Sequence, residues 1–349
     1  MINSLQSIRF VLALLIFHHH FFTNPQIVQF GCFPVVFFFI LSGFLLSKGY
    51  ARLIMEESYP YKKFVIKRLI HIYPLNLIGL VLFLLCPILL DVYHGEITAV
   101  NNPMLILDAL LLQSWYPSSS VYFSGNSVCW FLSDIVFCYL MFPVILKVRK
   151  KYHYFALFII LVAYFMSACM MPEQYVHSLI YINPLFRIVD FYLGVELFFI
   201  YEKTTVSRVY ELSDFSRTLV ELLGIGMVVS FLLLYPYVPP RFSYVSFYWM
   251  PSLFLILVLA LHAKVGGGIS RLLDNKYMCF LGKLSFPFYV FHIVVIWRYS
   301  GMKNFLGFSG MLNWLDACAC ILIILFISYL YVRYVEPVLT NKLRNLYDL

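Results

Sequence analysis

Stretches of about twenty predominantly apolar residues recur along this 349-residue chain, and they leave it one environment in which to fold. In hydrocarbon every backbone N–H and C=O must be satisfied within its own segment, so each stretch reads as a spanning α-helix. They fall near 5–22, 29–49, 72–93, 127–147, 153–171, 185–202, 218–236, 246–263, 279–299 and 310–333. Hydrophobic residues make up 62% of the chain, charged residues 12%, and mean hydropathy is +0.85, which excludes a soluble globular domain of this length. The expected fold is all-α: a polytopic integral membrane protein of about ten transmembrane helices. It forms a single membrane-embedded domain over 1–349 with no appended soluble domain. The first run carries Arg9 and three histidines, and no small-residue cleavage site follows it. It is therefore a retained helix rather than a signal peptide.

Charge location sets the orientation. The stretches 48–71, 147–151, 203–217, 264–276 and 333–349 hold nineteen of the 25 Lys and Arg residues. The alternate connections 23–28, 94–126 and 172–184 hold none, while Arg241, Arg298 and Lys303 fall in the remaining two. Ten spans with both termini in the cytoplasm satisfy this bias at every connection. The net charge of +8 is then explained by topology and anionic headgroups, with no support for nucleic-acid binding.

The longest outer connection contains MLILDALLLQSWYP, an apolar stretch too short to span and expected to be re-entrant or interfacial. SSSVYFSGNS after it reads as a flexible polar lip over an outward-facing pocket. The eight cysteines lie in or beside spans and read as small buried hydrophobes rather than a disulfide framework. No metal is expected: consecutive helical residues fan out by 100°, so His18, His19 and His20 cannot converge on one ion.

Ionisable residues inside the spans are costly and mark a site or a pathway. Arg9 and His20 are eleven positions apart, about three turns plus 20°, so they share one face of the first helix at an axial separation of about 16 Å. An Arg snorkelling at the helix end and a His packed in the core is the bland alternative. In FFFILSGFLLS, Ser42 and Gly43 permit close approach of a ligand or of another helix. KRLIHIYP gathers Lys67, Arg68 and His71 on the inner face, and Pro74 is expected to open the next span. CWFLSDIVFCYLMFP buries Asp134 beside Trp130, and an isolated buried carboxylate is neutral or paired. Arg187 and Asp190, three residues apart in FRIVDFYLG, read as an internal ion pair. His292 of LSFPFYVFHIVVI lies toward the outer half of its span, where a core histidine satisfied by a neighbour is the simplest reading.

Taken in order, these segments resemble acyltransferase family 3, the bacterial integral-membrane O-acyltransferases. Arg9 and His20 look like its Arg-x10-His signature, FFFILSGFLLS its FF-x-x-SGF segment, and KRLIHIYP its Arg-x-x-Arg-x-x-Pro loop. CWFLSDIVFCYLMFP is similar to its W-x-L-S…Y-x-x-x-P span, and FRIVDFYLG to its R-x-x-x-F-x-x-G span. LSFPFYVFHIVVI resembles the family's late histidine span. The chain departs from the pattern at His71, where the loop usually has a second Arg, and at Ile135, where many members carry Glu. It also lacks the hydrolase-like domain some members append.

The resemblance implies an acyl-CoA:glycan O-acyltransferase of the bacterial inner membrane, and by the family's usual chemistry an O-acetyltransferase.

 The implied donor substrate is acetyl-CoA, with no permanently bound cofactor, and the implied acceptor is a carbohydrate hydroxyl on a cell-surface or lipid-linked glycan. His20 would be the general base, with Arg9 as its catalytic partner. Lys67, Arg68 and His71 would receive coenzyme A phosphates from the cytoplasm. Ser42, Gly43, Trp130, Asp134, Arg187, Asp190 and His292 are weaker candidates for the substrate pocket. Partners are thus the acceptor, acyl-CoA and the lipid bilayer, with a homo-oligomer left open. The competing class is a transporter or exporter of a small polar metabolite, but the sequence has no inverted repeat and no matched Gly/Pro-broken helices.

Overall fold

The computed structural model describes residues 2–22, 30–94, 102–204, 211–307 and 312–347, with the backbone alone over 86–94. The connection 23–28, residues 95–101, residues 205–210 and the Cys86 side chain lie outside the described residues. Everything described is helix, turn or irregular chain, without strands. The long helices are α1 (Asn3–Phe21), α2 (Cys32–Met55) and α3 (Tyr61–His94). Two short helices follow, α4 (Met104–Leu110) and α5 (Ser119–Tyr122), and then α6 (Trp130–Met170). Next come α7 (Pro184–Lys203), α8 (Asp214–Leu234), α9 (Trp249–Leu261) and the short α10 (Gly268–Leu273). The chain closes with α11 (Lys276–Phe305), α12 (Trp314–Leu330) and α13 (Glu336–Leu346).

Among the described residues six helices are long and apolar enough to cross a membrane. The expected ten exceeds this by four: α1, with Arg9 and three histidines, is not among the six, nor are α7 and α9, and α6 is counted once. α9 has 13 residues, and α7 carries Arg187, Asp190, Glu196, Glu202 and Lys203. The stretches expected at 127–147 and 153–171 form one helix of 41 residues, broken in its backbone angles at Tyr152 (φ −133°, ψ 27°). Arg149 and His153 flank that break and hold Glu196 of α7 at 3.1 and 3.3 Å.

Two further boundaries differ from expectation. α3 begins at Tyr61, so the basic 62–71 segment is its first three turns, and Pro74 sits within the helix rather than opening it. Proline removes one ladder bond, while a helix in an apolar setting still satisfies its other groups best by continuing. The tail after 335 is the amphipathic helix α13, joined to α12 by a π-type turn over Tyr331–Val335.

The closest pairings are α2 with α7 and α1 with α11. Both depend on missing side chains. A Cβ on Gly43 would fall on the Phe191 carbonyl oxygen, and one on Gly194 on the Ile40 carbonyl oxygen. Gly282 is held in the same way against the Gln6 carbonyl. Gly43 therefore faces α7, and Ser42, 100° around α2, is free to face elsewhere. Gly43→Ala is expected to force α2 and α7 apart at a cost of about 1–3 kcal/mol, read as a lower Tm in detergent. An unchanged Tm would show that the contact relaxes freely.

Glu221 fastens the turn between α9 and α10 to α8. Its carboxylate accepts from the backbone N–H groups of Gly267, Ile269 and Ser270, at 2.9, 2.9 and 3.2 Å. The Ser270 hydroxyl donates to it at 2.5 Å, and His262 Nδ1 lies 2.8 Å away. A carboxylate so fully partnered is structural.

Candidate active site

A cavity of 330 Å³ opens between α1, α2, α3, α6 and α11, beside the π-type turn and α13. Of the residues singled out in the sequence, Arg9, Ser42, Arg68 and His71 line it. Lysine, arginine and glutamate side chains on the wall are Arg9, Arg68 and Lys283 against Glu336, three cations to one carboxylate. A low-dielectric wall with excess cationic charge concentrates anions.

Arg68 lies over the Tyr50 ring at 4.6 Å, which fixes its planar fork by cation–π contact. Lys67 Nζ lies 5.8 Å from the Tyr50 ring centroid and is not among the lining residues. His71 is held between two residues of α13: Glu336 Oε1 is 3.7 Å from its Nδ1, and Arg344 Nη2 is 3.4 Å from its Nε2. The C-terminal helix thus forms one edge of the cavity mouth.

Phe131, Leu132, Ile135 and Tyr139 present one face of α6 to the cavity, and Asp134 lies on another face of that helix. Asp134 is instead buried with Arg187 and Asp190, away from the cavity lining. Arg187 Nη2 lies 2.9 Å from Asp190 Oδ2, both side chains fully buried, and Trp249 donates its indole N–H to Asp190. Trp130 is buried against Tyr181, with ring centroids 5.1 Å apart. Gly43, Trp130, Asp134, Arg187 and Asp190 do not line the cavity.

The other element of the site is a pair of histidines. The three consecutive histidines of α1 reach three neighbourhoods: His18 packs on Phe30 and Trp314, His19 lies against Gly31, and His20 meets His292. His292 Nε2 and His20 Nδ1 are 3.0 Å apart, although 272 positions separate them in sequence. α1 and α11 run side by side, with Phe10 and Phe17 packed on Phe288, and this places the two rings together. Neither histidine lines the cavity, but Tyr289 does, and its carbonyl accepts from His292 Nδ1 at 2.5 Å. Tyr289 and Phe131, with centroids 5.6 Å apart, form the wall on this side of the cavity. Because α1 is unbroken from Asn3 to Phe21, Arg9 and His20 stand about 16 Å apart along one axis.

Over the described residues 102–126 the connection after α3 is tied down by hydrogen bonds rather than being a flexible lip. Ser124 donates to Asp108 Oδ2 at 2.5 Å, Asn76 donates to the Asp108 carbonyl at 3.0 Å, and Asn126 to the Val290 carbonyl at 2.8 Å. Tyr289 adds a hydrogen bond from its hydroxyl to the Val128 carbonyl at 2.7 Å. Burial pushes the Asp108 carboxyl up to about 6, against the opposing pull of the Ser124 hydroxyl and the Gly125 N–H. A raised carboxyl pKa favours the protonated folded form, so this anchor is fully in place below about pH 4 and weakens as pH rises through about 6. Amide protection over 119–126, corrected for the intrinsic base catalysis of exchange, should fall between pH 5 and 7, and Asp108→Asn should flatten that fall. Equal pH dependence in both proteins would remove Asp108 from the account.

The sequence reading left Tyr139, Lys283, Ser285 and Glu336 of the lining unassigned. Tyr139 had a usable signal, since it shares a helix face with Phe131 and Ile135. Among the described residues no group of three His, Cys, Asp or Glu is arranged to hold a metal ion.

A family model described as "Acyltransferase domain" matches residues 2–333 of this chain. The chain is also similar to acyltransferase MdmB of Streptomyces mycarofaciens, 27% identical over 382 residues, covering 98% of this chain and 92% of that relative. No solved structure matches.

Proposed function

The chain belongs to this acyltransferase family, acyltransferase family 3, and from that premise we propose that it O-acetylates a carbohydrate hydroxyl using cytoplasmic acetyl-CoA. The observation that carries the reading is the cationic cavity beside the histidine pair. Coenzyme A is a polyanion with a long neutral arm, and Arg9, Arg68 and Lys283 supply the matching charge. Planar guanidinium groups suit bidentate phosphate contacts.

In the proposed reaction the acceptor hydroxyl oxygen attacks the thioester carbonyl carbon while His20 takes the hydroxyl proton. The C–O bond forms, the C–S bond breaks, and the coenzyme A sulfur takes up the proton held by the imidazolium. The products are the O-acetyl ester and free coenzyme A. Whether the acyl group pauses on the protein does not alter this balance. Arg9 lies on the same helix face and serves the donor end of the stripe.

In this reading the chain is a multi-pass protein of the bacterial inner membrane, with ten spans and both termini in the cytoplasm. The basic connections support that orientation, and the break at Tyr152 supports counting α6 twice. The transporter alternative has no specific observation in its favour.

Membranes containing the protein should transfer label from acetyl-CoA to a glycan hydroxyl. Arg68→Ala should raise the KM for acetyl-CoA about tenfold or more, the contribution of a charge-assisted hydrogen bond, and leave the acceptor KM within a factor of two or so. A change confined to the acceptor KM would reassign the cavity.

A further inference from the structure

We infer that His292 is a positioning residue that holds His20 in one tautomer, with the proton on Nδ1 and the lone pair on Nε2. This rests on the reading of His20 as the general base and adds the device that prepares it.

A backbone carbonyl accepts hydrogen bonds and never donates them. The Tyr289 carbonyl lies 2.5 Å from His292 Nδ1, so that nitrogen carries the proton. A carbonyl in a helix has a second lone pair beyond its ladder bond, which lets it take this one as well. Neutral His292 then has its lone pair on Nε2. That nitrogen lies 3.0 Å from His20 Nδ1, so His20 Nδ1 is the donor. The lone pair of His20 is left on Nε2.

The surroundings leave His292 little freedom to choose otherwise. It is completely buried, and its neighbours Val290, Phe291 and Ile293 are buried too. The other titratable groups against the pair are His19, whose ring centroid is 5.1 Å from that of His20, and Tyr289, whose ring centroid is 5.7 Å from that of His292. No Lys, Arg, Asp or Glu among the described residues is hydrogen-bonded or ion-paired to either ring. Fixing which nitrogen is protonated is done by the hydrogen bond at the other nitrogen, and here a second imidazole supplies it. When His20 takes a proton on Nε2, its Nδ1–H continues to point at a neutral acceptor, so the imidazolium forms without reorientation.

Protein labelled with ¹⁵N-histidine tests the assignment directly. The resonances that vanish in His20→Asn identify His20, and in the resting parent protein they should report a protonated Nδ1 and an unprotonated Nε2. A proton on Nε2 would overturn the inference. This readout needs no turnover, so failure of the membranes to transfer acetyl groups would count against the proposed function alone. Kinetics supply the second arm. His292→Ala should lower kcat about 10–100-fold, the usual effect of removing an orienting partner, while the KM for acetyl-CoA holds. His292→Gln should recover most of that loss, because its side-chain carbonyl can accept from His20 Nδ1. If Gln and Ala lose kcat equally at equal protein level, His292 does not act by accepting from His20.

Discussion

His20→Ala should lower specific acetyl transfer by about 10²–10⁴-fold at an unchanged amount of membrane-inserted protein. The range is the contribution of one positioned acid–base group, and nothing else on α1 can substitute for it. His18 and His19 are the nearest imidazoles in sequence, but His18 is committed to Phe30 and Trp314 and His19 to Gly31. Their alanine variants should stay within about tenfold of the parent, since each loses packing rather than a proton acceptor. The stability effect of His20→Ala should be small. It removes one hydrogen bond of about 1 kcal/mol and leaves His292 Nε2 without its donor. Labelled-acetate transfer divided by the amount of tagged protein separates the cases. Loss of protein at normal specific activity would make His20 a packing residue, and equal losses at positions 18, 19 and 20 would remove the one-face argument.

That argument was accessible from sequence because helix pitch is a local rule. Arg9 and His20 share a face by arithmetic, and the structure keeps α1 continuous between them. The family motifs likewise brought Arg9, Ser42, Arg68 and His71 to one list, and all four meet at one cavity. Periodicity could not reach the rest. Ser42 and Gly43 are adjacent, yet the first lines the cavity and the second is pressed on the backbone of α7, a division set by a helix more than 140 positions away. Glu336 reaches the cavity because the tail folds as a helix beside α3 instead of trailing from α12. The partner of His20 lies on α11, and only the α1–α11 packing reveals it. The span at 185–202 was legible from its length, yet α7 buries charges on its neighbours and so is not among the six helices apolar enough to cross by composition.

Those buried charges carry the largest structural prediction. Arg187 and Asp190 are both fully buried at 2.9 Å, with the Phe39 ring centroid 4.6 Å from the guanidinium carbon and the Trp249 indole N–H on Asp190. Asp134 is buried in the same region on α6 but is not within ion-pair distance of Arg187. Removing the cation leaves Asp190 without its ion-pair partner in an apolar interior, where water cannot take its place. Arg187→Met should therefore cost about 3–5 kcal/mol, seen as a collapse in the yield of monodisperse protein and a lower Tm in detergent. Asp190→Asn should cost less, because its amide oxygen can still accept from Trp249 and from Arg187. Combining Arg187→Met with Asp190→Leu and Asp134→Leu should recover much of the stability, as apolar replacements of buried ion pairs commonly do. The pattern discriminates packing from chemistry. If Arg187→Met gave a normal yield and Tm but no acetyl transfer, the pair would belong to the reaction rather than to the scaffold. Recovery of stability in the triple variant together with recovered transfer would fix it as scaffold, which is where its burial behind α2 and away from the cavity puts it.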